Sequence, residues 1–98
     1  MVLNRLLRMA VVNLPSQLRE RAGGEAEVVL EDDGAGATLG EVLARLERKH
    51  PGLKGWILDE SGAIRRHVNV FVNGERMAGD STVAADARIQ VLPAISGG

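Results

Sequence analysis

The chain has 98 residues, of which 45% are hydrophobic and 26% charged, and its formal net charge is −1. This length and balance indicate a single globular domain. The near-neutral charge argues against a nucleic-acid-binding protein, and the lack of cysteine excludes disulfides, thiolate metal sites and a catalytic thiol. No apolar run is long enough to span a bilayer, and the N-terminus lacks the pattern of a signal peptide. We therefore expect a cytoplasmic protein without a membrane partner, monomeric when alone.

The first predicted element is a strand over residues 8–15. Apolar side chains share one of its faces: Ala10, Val12 and Leu14. Proline ends the strand because it has no N–H to donate. Residues 16–24 then predict one helical turn that is capped by Ser16 and stopped at Gly23.

A second strand is predicted over residues 25–31, and residues 32–37 are predicted to form a loop. One face of this strand is again apolar: Ala26, Val28 and Leu30. The clearest helix follows, with Thr38 and Glu41 as a capping box and an end after His50. Its apolar stripe has helical spacing: Leu39, Val42, Leu43 and Leu46. This stripe predicts packing against a sheet.

The segment after the helix is the hardest to interpret. Four of its residues predict a short helical turn over the edge of the core: Leu53, Trp56, Ile57 and Leu58. Residues 59–62 predict a turn. Residues 68–76 predict a strand that turns at Asn73-Gly74, a type I′ hairpin sequence, into a short return strand.

The last predicted strand covers residues 87–95 and stops near Pro93. The order of elements, with one main helix and about five strands, predicts an α+β domain of the β-grasp, ubiquitin-like class, with a mixed sheet packed on the helix. In this class the first and last strands lie side by side and parallel at the centre of the sheet. We expect an N-terminal extension at 1–8, the β-grasp domain at 9–93 and a flexible C-terminal tail at 94–98.

No catalytic or metal-binding cluster is apparent in the sequence. The two histidines, His50 and His67, lack partners at ligand spacing, so we expect surface or capping roles for them. The acidic pairs at 32–33 and 59–60 are typical of solvated turns. We therefore expect a protein that is not an enzyme and binds no cofactor itself.

One face of the sheet predicts a docking surface for a partner protein. Alternation turns five aliphatic residues inward: Val68, Val70, Val72, Ile89 and Val91. Phe71 and Leu92 then point outward, and they lie near each other if their strands are neighbours. The alternative is that these are single exposed apolar residues, which are common on protein surfaces.

The chain ends on Gly97-Gly98, with no charged residue after the last strand. Glycine has no Cβ and leaves the main chain slim, which suits a chain end that must enter a narrow channel. The pattern therefore predicts that the terminal carboxylate of Gly98 is the working group.

Four segments carry a resemblance to a known family: "NLPSQLRERAGG", "GATLGEVLARLERKHPGL", "VNVFVNGE" and "ARIQVLPAISGG". Together they resemble the MoaD/ThiS family of ubiquitin-like sulfur carriers, over nearly the whole chain from Met9 to Gly98. The longer segment "LDESGAIRRHVNVFVN" is most similar to the carriers of actinobacterial cysteine synthesis, and less similar to the small subunit of molybdopterin synthase.

The resemblance implies that an E1-like adenylyltransferase and sulfurtransferase uses ATP-Mg to activate Gly98, which then becomes a thiocarboxylate. It implies a sulfur-accepting synthase as second partner: a pyridoxal-phosphate-dependent cysteine synthase, with a metalloprotease acting later, or a thiazole, thiosugar or molybdopterin synthase. By position it implies that Leu92 contacts the partner, next to Pro93. It also implies that Ile95 and Ser96 lie on the arm, which is the C-terminal tail at 94–98. Three alternatives remain open: a molybdopterin synthase small subunit, a protein modifier conjugated through Gly98, and a plain interaction module.

Overall fold

The computed structural model describes residues 9–31 and 37–93. Its strands are β1 (Met9–Asn13), β2 (Glu27–Glu31), β3 (Ala37–Thr38), β4 (Val68–Val72), β5 (Glu75–Arg76), β6 (Thr82–Val83) and β7 (Arg88–Pro93). Its helices are α1 (Ser16–Arg19) and α2 (Leu39–Lys49), which are followed by 3-10 turns at Glu20–Ala22 and Pro51–Leu53. None of the helices in this part of the chain is long and apolar enough to cross a membrane.

Five strands form one mixed sheet in the order β2-β1-β7-β4-β5. The two strands most distant in sequence, β1 and β7, pair in parallel at its centre, with Val12 opposite Ile89. The neighbouring pairs β1–β2, β4–β7 and β4–β5 are antiparallel. The prediction of a β-grasp fold with a parallel central pair is thus confirmed. A second sheet of two short antiparallel strands, β3 and β6, was not predicted.

The core lies between α2 and one face of this sheet. The sheet contributes alternate residues from its three central strands, all buried: Ala10, Val12, Val70, Val72, Ile89 and Val91. The helix contributes the predicted apolar stripe, also buried: Leu39, Val42, Leu43 and Leu46. Removing this aliphatic surface from water is the main source of folding free energy at this interface.

The start of α2 confirms the capping box that the sequence predicts. The Glu41 N–H donates to the Thr38 hydroxyl oxygen at 3.2 Å, and the Thr38 N–H donates to the Glu41 carboxylate at 2.9 Å. These bonds from the Thr38 backbone and hydroxyl hold the pKa of Glu41 below its ordinary value. At the other end, the His50 N–H donates to the Leu46 carbonyl at 2.9 Å, and Pro51 begins the next turn. Both ends of the main helix are therefore set by local sequence.

Two cations of α2 cover the outer edge of β2. The Lys49 ammonium donates to the Val29 carbonyl at 2.8 Å, and the Arg45 guanidinium donates to the Glu31 carbonyl at 3.0 Å. A strand edge with free carbonyl groups is a template for pairing with another chain. The helix satisfies two of these carbonyl groups from within the molecule.

The hairpin between β4 and β5 also confirms its prediction. Asn73 and Gly74 have φ angles of 50° and 86°, the left-handed pair that a type I′ turn requires. The Asn73 side chain additionally accepts a bond from the Arg88 N–H at 3.0 Å. The turn residues therefore fix the hairpin and also its contact with β7.

Two local predictions around the first helix are wrong. The residue at the N-cap of α1 is Pro15, and no side-chain bond caps this helix, because the Ser16 hydroxyl turns to the Gln17 side chain at 3.4 Å. Ala26 is exposed, because β2 begins only at Glu27. The predicted stop at Gly23 is confirmed by its left-handed conformation.

The predicted helical turn over residues 53–58 is wrong as well. The helical turn lies earlier, at Pro51–Leu53, and Leu58 instead forms a β-bridge with Ile64. Three of the four residues are buried as expected, Leu53, Ile57 and Leu58. Trp56 is 47% exposed, and the Arg21 guanidinium lies 3.7 Å above its ring. Arginine stacking therefore replaces the expected contact of the indole with the core.

Candidate functional site

The outward face of β7 and β4 holds the residues that the sequence predicts for partner docking. In the register of this pair, Leu92 lies opposite Asn69, and Phe71 lies opposite Gln90. Leu92 and Phe71 are therefore diagonal neighbours on one face, close enough for large side chains to share a surface. Both are half-buried rather than exposed. The predicted strand alternation is confirmed, and the docking role stays a prediction.

Pro93 is the last residue of β7 and is exposed, opposite Val68. Proline has no N–H to donate to a neighbouring strand, so it is tolerated at the end of a strand and not in its interior. The remaining predicted residues of the arm, Ile95, Ser96, Gly97 and Gly98, lie outside the described residues, as does the predicted extension at 1–8. The structure therefore describes the sheet up to the beginning of the predicted tail.

A shallow depression of about 480 Å³ adjoins this end of β7. Since β1 and β7 are parallel, both strands end at the same border of the sheet, and the depression lies between their ends. Its walls include Leu92 and Gln90 on one side and Pro15 and Arg19 on the other. The Arg19 Nε donates to the Leu14 carbonyl at 3.1 Å, which fixes the position of the guanidinium. The depression thus extends the Leu92 surface towards the start of α1.

The sequence reasoning missed Arg19 and Pro15 as neighbours of Leu92. Each belongs to a segment that is distant from β7 in sequence, and only the parallel pairing of β1 with β7 brings them together. The predicted fold could have indicated this contact, since a parallel central pair places the residues after β1 beside those at the end of β7.

A second apolar position on the same face of the sheet was also missed. Val29 on β2 is 42% exposed and lies opposite Val11 on β1. Arg88 follows on β7, next to Val11. The alternation that turns Ala10 and Val12 inward already required Val11 to point outward. The outward face therefore carries apolar side chains on both sides of the polar residues of β7, with Val11 on β1 and Phe71 on β4.

The two histidines and the acidic pair at 59–60 do not form a cluster, and the acidic pair at 32–33 lies outside the described residues. His50 caps α2, with its Nε2 atom 3.5 Å from a Glu25 carboxylate oxygen, and His67 is exposed. Asp59 accepts bonds from the Ser61 hydroxyl and N–H at 2.6 and 2.8 Å, and the Ser61 hydroxyl is the main cause that lowers the pKa of Asp59. Within residues 9–31 and 37–93, no group of three potential metal ligands occurs.

Comparison with known proteins places the chain in a family. Residues 12–98 match the model of the ThiS family. Small archaeal modifier protein 1 of Haloferax volcanii is 36% identical over 84 residues, which cover 85% of this chain and 93% of the relative. The crystal structure of that protein covers 92% of this chain and 99% of its own, with a TM-score of 0.79 and 33% identity.

Two CysO structures are similar to the chain as well. One is the Amycolatopsis orientalis BexX/CysO complex, with a TM-score of 0.74 and 31% identity, covering 91% of this chain and 99% of that one. The other is Mycobacterium tuberculosis CysO, with a TM-score of 0.72 and 30% identity, covering 88% of this chain and 99% of that one. Both a modifier protein and a protein found in complex with BexX therefore share this fold at similar levels of identity.

Proposed function

The chain belongs to the ThiS family, and on this premise we propose that it is a sulfur carrier protein whose reactive group is the C-terminal carboxylate of Gly98. It acts as a co-substrate, and its partner enzymes supply the catalysis. The observation that carries the proposal is the family match, which extends through Gly98. The central position of β7, which leads directly into residues 94–98, also supports it.

The chemistry needs two steps at one carboxyl group. A carboxylate oxygen of Gly98 first attacks the α-phosphorus of ATP in an E1-like partner, which forms an acyl adenylate and releases pyrophosphate. Hydrosulfide released by a sulfur donor then attacks the acyl carbon, and AMP leaves with the bonding electrons. The product is a C-terminal thiocarboxylate, whose sulfur is a nucleophile towards the acceptor of a second enzyme. Magnesium and ATP belong to the activating partner.

The outward sheet face supplies the recognition in this proposal. Phe71 and Leu92 give it apolar area, and the depression beside Arg19 gives it shape. Pro93 ends β7, so a partner that holds this face also sets the starting direction of the arm that leads to Gly98. Successive partners would use the same face, since each must bring the Gly98 carbonyl carbon into its own reaction centre.

A second candidate function is that of a protein modifier. Its support is the 36% identity to small archaeal modifier protein 1. The first step is the same, but a lysine amine of a target protein then attacks the activated carbonyl of Gly98, and an isopeptide bond forms. The two functions differ only in the nucleophile that displaces the leaving group.

Intact-mass spectrometry separates these functions. The chain would be co-expressed with the E1-like enzyme and the sulfurtransferase of its own genome, and purified under non-reducing conditions. A sulfur carrier gains about 16 Da, because one carboxylate oxygen is replaced by sulfur. A modifier instead appears in heavier conjugates, and their tryptic digests carry residues 89–98 as a remnant on lysine, because the last trypsin site before Gly98 is Arg88.

A variant that lacks Gly98 is the matched control. It should keep the melting temperature of the full chain, because Gly98 lies five residues beyond the end of β7, and it should not be adenylated. Normal adenylation of this variant would contradict the assignment of Gly98. A full-length chain that remains unmodified beside an active E1-like enzyme would contradict both functions. The synthase that consumes the thiocarboxylate then identifies the pathway that receives the sulfur.

A further inference from the structure

A groove of about 570 Å³ lies beside the β4–β5 hairpin, and none of its lining residues belongs to β7. Its walls are residues 63–66 on one side and 76–79 on the other, with Val68 and Val70 between them. We call it the arginine groove, because three of its lining residues are arginines.

The arginine groove forms where the hairpin opens. The Met77 N–H still donates to the Val70 carbonyl at 3.0 Å, and the chain then leaves β4. Farther along this wall, the Gly79 carbonyl accepts a bond from the Gly40 N–H at 2.8 Å, so the wall is attached to the start of α2. The separation of the two walls is thus set by backbone bonds of residues that lie outside the hairpin.

The opposite wall is fixed in the same way. The Arg65 N–H donates to the Ile57 carbonyl at 2.9 Å, and the Val68 N–H donates to the Arg65 carbonyl at 3.0 Å. The Ala63 carbonyl accepts a bond from the Asp59 N–H at 2.8 Å. Because both walls are held by backbone bonds, a ligand would not have to pay the entropy of ordering them.

The floor of the arginine groove is apolar. Ile64, Val68 and Met77 are half-buried and pack against the core cluster. Gly79 has no side chain, so the Ile64 side chain beside it is not covered from that wall. A Cβ atom at position 79 would lie 3.7 Å from the Ile64 Cδ1 atom. The floor therefore offers space and contacts for one apolar side chain.

The rim carries a concentrated positive charge. Arg65, Arg66 and Arg76 are exposed, and no lining residue is Asp or Glu. Among residues 9–31 and 37–93 no carboxylate forms an ion pair with them, and Arg65 acts on Asp59 only as a weak, longer-range attraction that lowers its pKa. At the opposite edge of the sheet, in contrast, Arg45 and Lys49 are bonded to carbonyl groups of β2. The three arginines of the groove thus stand out in a chain whose net charge is −1.

We propose that the arginine groove binds an extended acidic peptide segment of a partner protein, with one apolar side chain on the floor and flanking carboxylates on the arginines. Guanidinium groups bind carboxylates through paired, charge-assisted hydrogen bonds, which suits this rim. Single-stranded nucleic acid fits less well, because no aromatic side chain lines the groove to stack on a base. The proposal concerns residues other than those of the tail and does not depend on the chemistry of Gly98.

Selection of peptides tests the proposal without knowledge of the partner. A phage-displayed library of random nonapeptides would be selected against the full chain, and the enriched peptides synthesised with a fluorescein label. We expect an enriched pattern of an apolar residue flanked by Asp or Glu. Fluorescence anisotropy should show an affinity loss of about tenfold or more for R65E/R66E, because two attractive contacts become repulsive.

The matched control is R48E/K54E, which makes the same change in net charge at exposed residues outside the arginine groove. Its affinity for the peptide should stay within about twofold of the unchanged chain, since screened charges at a distance contribute little. Ala78→Trp tests the shape alone. Ala78 is exposed and lines the groove, so a large ring there should abolish binding while the melting temperature is kept.

Three outcomes would overturn the proposal. One is a selection that enriches no acidic residues, and another is equal peptide affinity in R65E/R66E and R48E/K54E. The third is a fluorescent oligothymidylate that binds the same arginines more tightly than the peptide does, which would assign the groove to nucleic acid. Should R65E/R66E fail to fold, Ala78→Trp decides: unchanged peptide binding in that variant overturns the proposal.

Discussion

The two faces of the five-stranded sheet differ in composition although the same strands build both. Towards α2, Val12, Val70 and Ile89 are buried among other aliphatic residues. On the opposite face, the next residues of the same strands are half-buried or exposed, and apolar ones such as Leu92 alternate with polar ones such as Gln90. One step along a strand therefore separates a residue that stabilises the domain from one that is free to contact a partner.

Substitution of a core leucine should have the largest effect on stability. Leu43 lies on α2 and is fully buried against the sheet. Leu43→Ala should lower the free energy of unfolding by about 2–5 kcal/mol, since it removes apolar contacts and leaves a cavity. Urea denaturation measures this loss. Leu92→Ala on the outward face is the counterpart, with an expected loss below about 1 kcal/mol. Equal losses in the two variants would show that both faces are packed alike.

Removal of the α2 cap should have an intermediate effect. Thr38→Ala deletes the hydroxyl that accepts the Glu41 N–H, and should lower the free energy of unfolding by about 1 kcal/mol. Thr38→Ser keeps the hydroxyl and should recover most of the loss in the same urea titration. If Thr38→Ser were as unstable as Thr38→Ala, the threonine methyl group rather than the cap would be responsible.

A charge on the outward face should have the smallest effect on stability and a large one on binding. Leu92→Asp should cost at most about 1 kcal/mol, because this side chain is only half-buried. Its affinity for the proposed E1-like partner should fall about tenfold or more, since a carboxylate would be buried in the interface. Calorimetric titration measures the affinity, and Ala84→Asp at an exposed loop position is the control. A large drop in melting temperature for Leu92→Asp would show instead that Leu92 belongs to the core.

Much of the fold could be predicted because local rules and the global fold agree there. The capping box of Thr38, the leucine stripe of α2 and the Asn73-Gly74 turn each have a mechanism that acts within a few residues. Strand alternation then assigned the inward and outward residues of β4 and β7. For the candidate site, this was enough to place Phe71 and Leu92 on one face.

The remaining errors occur where tertiary contacts override local preferences. Trp56 was expected over the core edge, but Arg21, which is distant in sequence, stacks on its ring. Ile57 and Leu58 are tied to residues 64–65 by a β-bridge and a backbone bond, so the helical spacing of this segment has no structural counterpart. The pairing of β3 with β6 involves two residues on each side, too few to produce a periodic pattern. Arg19 joins the Leu92 surface only through the parallel central pair.

That parallel central pair also has a consequence for the order of folding. The sheet consists of two blocks, β2-β1 and β7-β4-β5, in which all neighbours are antiparallel, and the β1–β7 pair alone joins them. Closing this pair requires a loop of nearly the whole described chain, which is entropically costly and slow. We therefore expect the two blocks to form early and the junction between them to close in the rate-limiting step. Since the depression beside Leu92 lies at this junction, the proposed docking surface would be completed only in the last stage of folding.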